Sequence, residues 1–196
     1  LLSDSGQPLV YKDLPASGLL PINKTLALQA LLCAGFTLDS ECIAEAFNGL
    51  SLAGRQQTLD FNGLKVILDV AHNPAAALAL ANNLPPIKGR YSAVASVLAD
   101  KDWPAIIEPL SGIIDHWSIA EISDSDRATK GQTLLEVLYN AGLSGTLYDT
   151  LEAAFLNALE QATADDTVVV FGSFYSVSAV LKLQRQLQKN VDGSVQ

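Results

Sequence analysis

Val66-Ile67-Leu68-Asp69-Val70-Ala71-His72-Asn73-Pro74 is the stretch that decides how this chain folds. It reads as an apolar strand that emits a carboxylate, an imidazole and an amide within five residues, then enters a helix at a proline. A strand buried on both faces tolerates an aspartate poorly. An aspartate at its exit, followed by His72 and Asn73, points to a site rather than a packing element.

Upstream, Gln57 to Phe61 alternates, Asn62-Gly63 is a two-residue hairpin signal, and Leu64 to Val70 forms the return strand. Downstream, helix and strand alternate to the end. Helices are predicted over roughly 74–83, after Asp102, over about 132–141, after Asp149 and over about 176–188; strands are predicted at 91–98, 116–120, 146–148 and 167–171. Asp149, with Glu152 three residues on, reads as a helix cap, and Leu151, Phe155, Ala158 and Leu159 fall on one face of that helix. The alternation predicts an α/β fold: a Rossmann-like, mostly parallel sheet with helices on both faces and an antiparallel edge from the hairpin.

The opening block has a different texture. Residues 1–22 are loop-rich, with Leu9-Val10-Tyr11 as a possible edge strand. Helices are predicted at about 23–34, with Leu26, Ala30 and Leu31 along one face and Gly35 as its stop, and at about 40–47. These two helices have no evident sheet to pack on, and a boundary near Ala53–Arg55 divides a helical remnant of another domain (1–52) from the α/β domain (53–196).

Composition narrows the function classes. Of 196 residues 49% are apolar, ample for a core. With 12 basic and 21 acidic residues the formal net charge is −9, which argues against nonspecific binding of nucleic acid or anionic membrane. A small anion held by a few local donors remains compatible with that balance. Cys33 and Cys42 lack a Cys-x-x-Cys spacing and read as reduced, buried thiols of a cytoplasmic protein. No apolar run reaches the length of a membrane span, and no signal-peptide pattern opens the chain. Met is absent even from position 1, so the chain is expected to be a fragment or a processed product.

Ligands of open α/β sheets gather outside the carboxyl ends of strands. Three polar clusters fall there: Asp69-x-x-His72-Asn73-Pro74, Ala99-Asp100-Lys101-Asp102 and Phe171-Gly172-Ser173-Phe174-Tyr175. Each also has a plain structural reading. Asn73-Pro74 is a favoured helix start, Asp102 a favoured cap, Gly172-Ser173 a tight turn with a serine cap, and Asp69 with His72 a hydrogen-bonded pair stiffening a loop. A metal site is the weaker reading, because His116 is the only other histidine. Ser173 is not in a Gly-x-Ser-x-Gly elbow, and its hydroxyl is better placed near a helix start that binds an anion. Arg55 reads equally as a surface charge or as a fork for phosphate. Neither Gly-x-x-x-x-Gly-Lys-Ser/Thr nor Gly-x-Gly-x-x-Gly occurs, so a main phosphate cradle, if one exists, lies elsewhere.

Together, Leu20-Pro21-Ile22-Asn23, Gly54-Arg55, Leu68 to Pro74, Leu98 to Asp102 and Val170 to Tyr175 resemble the C-terminal part of the Mur-ligase superfamily. The resemblance is closest to the folylpolyglutamate synthases, including the bifunctional bacterial form that is also a dihydrofolate synthase. It implies a ligase that activates a folate or pteroate carboxylate with ATP as an acyl phosphate, which the amine of L-glutamate then attacks. It also implies that a larger N-terminal ATPase domain carries the phosphate loop, the magnesium (Mg2+) ligands and the folate pocket, so that this piece is inactive by itself. Carried over by position, Asn23, Arg55 and Asp69 would contact ATP at its adenine, phosphates and ribose, and His72 and Ser173 would hold the glutamate or the reacting centre. No metal ligand is expected among these residues, and Lys101 has no clear role. The expected partners are small molecules alone (folate or dihydropteroate, L-glutamate and ATP), and the full-length enzyme is expected to be a monomer. Two other readings stay open: another Mur-superfamily amino-acid ligase, and a non-catalytic α/β ligand-binding module.

Overall fold

The computed structural model describes residues 1, 6–12, 14, 19–123 and 125–193, with side chains as far as residue 187. The chain forms two compact units, Leu1–Gln57 and Thr58–Gln196.

The first unit holds α1 (Pro21–Cys33) and α2 (Ser40–Phe47). Pro21 starts α1 at a position where a missing N–H costs nothing, and the Asp39 carboxylate caps α2 by accepting from the Cys42 N–H at 2.8 Å. Leu28, Ile43 and Phe47 form a small core with Tyr11, Leu14, Leu38 and Leu50 around it. The buried stripe of α1 is therefore Lys24, Leu28 and Leu32, not Leu26, Ala30 and Leu31, which are exposed. The helix is apolar around most of its circumference, so periodicity could not choose the face. Leu26 is 60% exposed, and Val10, Ile22 and Phe36 are similarly bare. Leu9-Val10-Tyr11 forms no strand; Leu9 N–H donates to the Leu1 carbonyl at 2.8 Å. Cys33 and Cys42 are free, as expected, but both are exposed rather than buried, because each lies off the short inward stripe of its helix.

The second unit is a six-stranded sheet in the order β1-β2-β6-β3-β4-β5. Its strands are β1 (Gln57–Phe61), β2 (Leu64–Leu68), β3 (Tyr91–Ala95), β4 (Ile114–Ala120), β5 (Gly145–Tyr148) and β6 (Thr167–Phe171). Asn62 and Gly63, at φ 54° and 86°, make the tight turn of the edge hairpin. The pairs β2–β6, β6–β3, β3–β4 and β4–β5 are all parallel. The last strand in sequence thus lies between the second and the third.

Helices cover both faces, as the alternation predicts. On one side α3 (Pro74–Asn83), α4 (Trp103–Ile107) and α5 (Gly131–Asn140) bury Leu80, Ile106, Leu134 and Leu138 against Trp117 and Phe171. On the other, α6 (Leu151–Gln161) and α7 (Phe174–Gly193) bury Phe155, Ala158, Val177 and Val180 against Val66, Leu68 and Val170. Each fully buried large side chain here contributes roughly 1.5–3 kcal/mol relative to exposure.

Three local expectations change. The cap of α6 is Thr150, whose hydroxyl accepts from the Ala153 N–H at 3.0 Å, and not Asp149, which stands one residue too early. Helix α7 begins at Phe174 rather than Ser176, because Ser173 is its cap. Strand β3 ends at Ala95 although the apolar run continues to Leu98. Beyond it Val97–Ala99 pairs with a segment following β4 instead: Ala99 N–H donates to Arg127 O at 2.7 Å, Thr129 N–H to Val97 O at 3.2 Å, and Leu98 bridges Ala128.

Candidate functional site: a cleft at the carboxyl ends of four strands

The exit of β2 keeps pairing with β6 after regular structure ends. Asp69 N–H donates to Val170 O, and Gly172 N–H donates to Ala71 O, both at 2.9 Å. This ties the loop rigidly to the sheet. Asp69 is only 8% exposed, and its Oδ1 accepts from the Ala71 N–H at 2.8 Å. The His72 ring turns back on its own loop, with Nδ1 2.7 Å from the Val70 carbonyl. A carbonyl can only accept, so Nδ1 carries the proton and Nε2 is left for a ligand. Each side chain is therefore oriented by backbone, and the His72 ring bond goes to Val70, not to Asp69. Asn73 has its plain role, capping α3 by accepting from the Ala76 N–H at 2.9 Å, with Pro74 in the first turn.

At the exit of β6, Gly172 has φ 99° and passes so near β3 that an added Cβ would lie 2.5 Å from Ser96 O. Ser173 is 4% exposed. Its Oγ accepts from the Ser176 N–H at 3.0 Å and lies 2.8 Å from Ser176 Oγ, which is 3.4 Å from Ser96 O. If Ser176 donates to that carbonyl, the Ser173 hydroxyl proton goes to Ser176. Its side chain is then spent on capping, and of the first turn of α7 the Phe174 and Tyr175 N–H groups have no partner within the helix.

The exits of β3 and β4 supply cations. Asp100 bridges Lys101 Nζ at 2.9 Å and Arg127 Nη2 at 3.1 Å. The Lys101 ammonium foremost, with the Arg127 guanidinium adding, holds the Asp100 carboxyl below the ordinary carboxylate value. Asp102 is the cap of α4, accepting from the Ala105 N–H at 3.1 Å.

These exits meet in a cleft of about 230 Å³ lined by His72, Leu98, Lys101, Arg127 and Gly172 to Tyr175. The Phe174 ring, in a residue 62% exposed, stands 6.4 Å from the His72 ring at its edge. Of the expected residues, His72 and Ser173 line the cleft; Asp69 anchors the loop that presents His72. Lys101 lines it as well. Arg127 is not among the residues expected from sequence, where a lone arginine in a Ser/Asp-rich loop reads as solvated; its one signal is that it lies in the loop leaving the carboxyl end of β4.

Asn23 and Arg55 belong to the first unit. Asn23 sits in the first turn of α1, half-buried, and Arg55 follows Gly54 (φ 68°) with its N–H donating to Leu52 O at 3.1 Å. His116 is far from the strand exits. It lies near the amino end of β4 between the Ser144 and Thr146 hydroxyls, each 3.2 Å away, and burial lowers its pKa. A larger polar groove of about 490 Å³ surrounds it, but it gathers residues at the amino ends of strands, away from the customary ligand side. Among the described residues no group of three or more His, Cys, Asp or Glu could hold a metal ion, and no helix is long and apolar enough to cross a membrane.

Comparison with known proteins places this geometry. Residues 54–174 match the model of the Mur ligase, glutamate ligase domain. The chain is 34% identical over 163 residues to the dihydrofolate synthase/folylpolyglutamate synthase of Escherichia coli (strain K12), covering 82% of this chain and 37% of the relative. It superposes on E. coli FolC in complex with DHPP and ADP with a TM-score of 0.81 at 32% identity, covering 90% of this chain and 42% of that one. A bifunctional folylpolyglutamate synthase/dihydrofolate synthase with Mn, AMPPNP and L-glutamate bound matches with a TM-score of 0.79 at 33% identity, covering 88% and 41%. The chain thus spans about two fifths of the length of the relatives it matches. Through the match over residues 54–174, the chain belongs to the Mur ligase family and carries its glutamate ligase domain.

Proposed function

We propose that this chain is the C-terminal part of an ATP-dependent ligase that adds L-glutamate to folate, and also to dihydropteroate in the manner of the bifunctional relatives. In this reading residues 1–52 end a central ATPase domain and 53–196 form the C-terminal α/β domain of a cytoplasmic, monomeric enzyme. The observation that carries it is the cleft: four strand exits of a glutamate ligase domain converge on a pocket lined by donors, in a chain that is otherwise acidic.

Asn23, Arg55 and Asp69 would hold ATP. An amide can read a base edge, a guanidinium fork suits phosphate, and a carboxylate suits ribose hydroxyls. ATP supplies the phosphoryl group that activates the acid. In this reading the magnesium ligands lie in the preceding ATPase domain, as the family resemblance implies. What this chain does is hold the amino acid. With Nδ1–H committed to Val70, Nε2 is the His72 ring nitrogen that meets the glutamate ammonium. Ser173 acts through α7, fixing the first-turn N–H groups that receive an anion. Once the ammonium has lost a proton to solvent, its nitrogen bonds to the acyl carbon, the carbon–oxygen bond to phosphate breaks, the nitrogen releases its second proton, and inorganic phosphate leaves.

The test is incorporation of labelled glutamate into folate by the full-length enzyme, strictly dependent on ATP. His72→Ala and Asp69→Ala should each lower turnover at least about tenfold, the scale of a hydrogen bond to a charged group. Unchanged turnover in both variants sinks the assignment. Activity with muramyl-nucleotide acceptors instead of folate would favour another ligase of the superfamily.

A further inference from the structure

Resting on the ligase reading above, we propose that Arg127, positioned by Asp100, binds a carboxylate of the incoming amino acid and sets the preference for a dicarboxylic one. The chain carries a net charge of −9, yet among the described residues no carboxylate lines the cleft, while Lys101, Arg127 and His72 do. Asp100 stands between the two cations and pairs with both, so the three groups together keep a positive charge. Its contact with Arg127 is an ion pair to Nη2. The remaining donors of the fork are accessible, on a side chain 67% exposed.

The Arg127 backbone is tied to the segment that follows β3. Its carbonyl accepts from the Ala99 N–H at 2.7 Å, the Leu98–Ala128 bridge flanks that bond, and its guanidinium is braced by the residue that follows Ala99. An exposed ion pair adds little stability. What the pairing does is keep a planar, bidentate donor beside Lys101 at the cleft, the donor geometry that recognises a carboxylate.

The chemistry of the substrate asks for such a residue. Glutamate reacts through its amine, so both of its carboxylates stay ionised and must be received. The N–H groups at the start of α7 suit one, and the Arg127 fork suits the other. Glutamine, isosteric and neutral at the second position, leaves the fork without its counter-charge, which is how a charged site rejects a close analogue.

The experiment uses the full-length ligase with Arg127→Ala, Arg127→Lys, Asp100→Asn and Asp100→Glu, reading kcat, the KM values for glutamate and ATP, and the ratio of kcat/KM for glutamate over glutamine. Arg127→Ala should raise the glutamate KM about 10- to 100-fold with kcat and the ATP KM little changed, and the preference for glutamate should fall by a similar factor. Arg127→Lys should recover part of the loss. Asp100→Asn should move the same readouts less, and Asp100→Glu should restore them. An unchanged glutamate KM in Arg127→Ala overturns the proposal, as does a rise confined to the ATP KM, which would assign the arginine to phosphate. Should Arg127→Ala not fold, Arg127→Lys with an unaltered glutamate KM and preference overturns it equally. Wild-type enzyme that adds no glutamate overturns the ligase reading and this inference with it; active wild type with an unaffected Arg127→Ala overturns the inference alone.

Discussion

Replacing Gly172 by alanine tests whether the cleft depends on the close approach of β6 and β3. An alanine Cβ would sit 2.5 Å from Ser96 O and 3.1 Å from Ser96 C. An ordinary carbon–oxygen contact is about 3.3 Å or more, so the two chains must separate by about 0.8 Å. Neither can move freely, because Ala95 and Phe171 are paired in the sheet and Ser96 is fully buried. Relieving such an overlap costs about 1–3 kcal/mol. The left-handed backbone at φ 99° adds about 1–2 kcal/mol for a residue with a Cβ. The expected loss is therefore about 2–5 kcal/mol. Urea denaturation followed by tryptophan fluorescence measures it on the right unit, since Trp103 and Trp117 are both buried in the sheet domain. Gly112→Ala is the control: nothing lies within 4 Å of its added Cβ and its φ is ordinary, so it should be neutral or stabilise by up to about 1 kcal/mol. A Gly172→Ala chain within about 0.5 kcal/mol of wild type refutes the reasoning, since surface substitutions fall in that range.

Two more substitutions address what holds the sheet domain together. Asp166 is buried beneath β6 and accepts from the Thr163 N–H at 2.7 Å, the Thr163 hydroxyl at 2.8 Å and the Arg90 N–H at 2.6 Å. Those donors, the Thr163 N–H foremost, lower its pKa. A depressed carboxylate contributes stability that is complete above its unfolded value of about 4 and lost as pH falls through the folded one. Asp166→Asn should melt below wild type at neutral pH, with the gap closing as pH falls from about 4 toward 2; a gap independent of pH would contradict the assignment. Thr150→Ala should cost about 1 kcal/mol by removing the α6 cap, whereas Asp149→Ala should cost less; the reverse order in matched melts would restore Asp149 as the cap.

Sequence disclosed the sheet domain well because its strands are apolar runs bounded by unmistakable turns, Asn62-Gly63 above all. It failed where two structures share one pattern. Val97 and Leu98 continue the apolar run of β3, yet the chain leaves the sheet there to pair with the loop after β4. Nothing local marks that choice, because the partner lies some thirty residues away. The inward face of α1 is not legible because a helix apolar on several sides does not declare which side is inward, and the exposure of the cysteines is not legible because it follows from their place on the helix rather than from residue type. His72 and Ser173 were legible as strand exits. Arg127 was hidden by its surroundings, since its neighbours Ser125 and Asp126 carry the composition of a solvated loop.

The position of β6 has a consequence for the order in which the molecule can be made. Parallel β2 and β3 do not touch; both are joined through a strand that begins at Thr167. A ribosome-bound chain lacking that strand holds two half-sheets with unpaired edges, and the loops of Asp69 and Lys101 have no common frame. Contacts between segments about a hundred residues apart close last and slowly. The cleft is thus assembled only when β6 pairs with both β2 and β3, and a nascent chain has no such cleft before residues 167–171 have emerged.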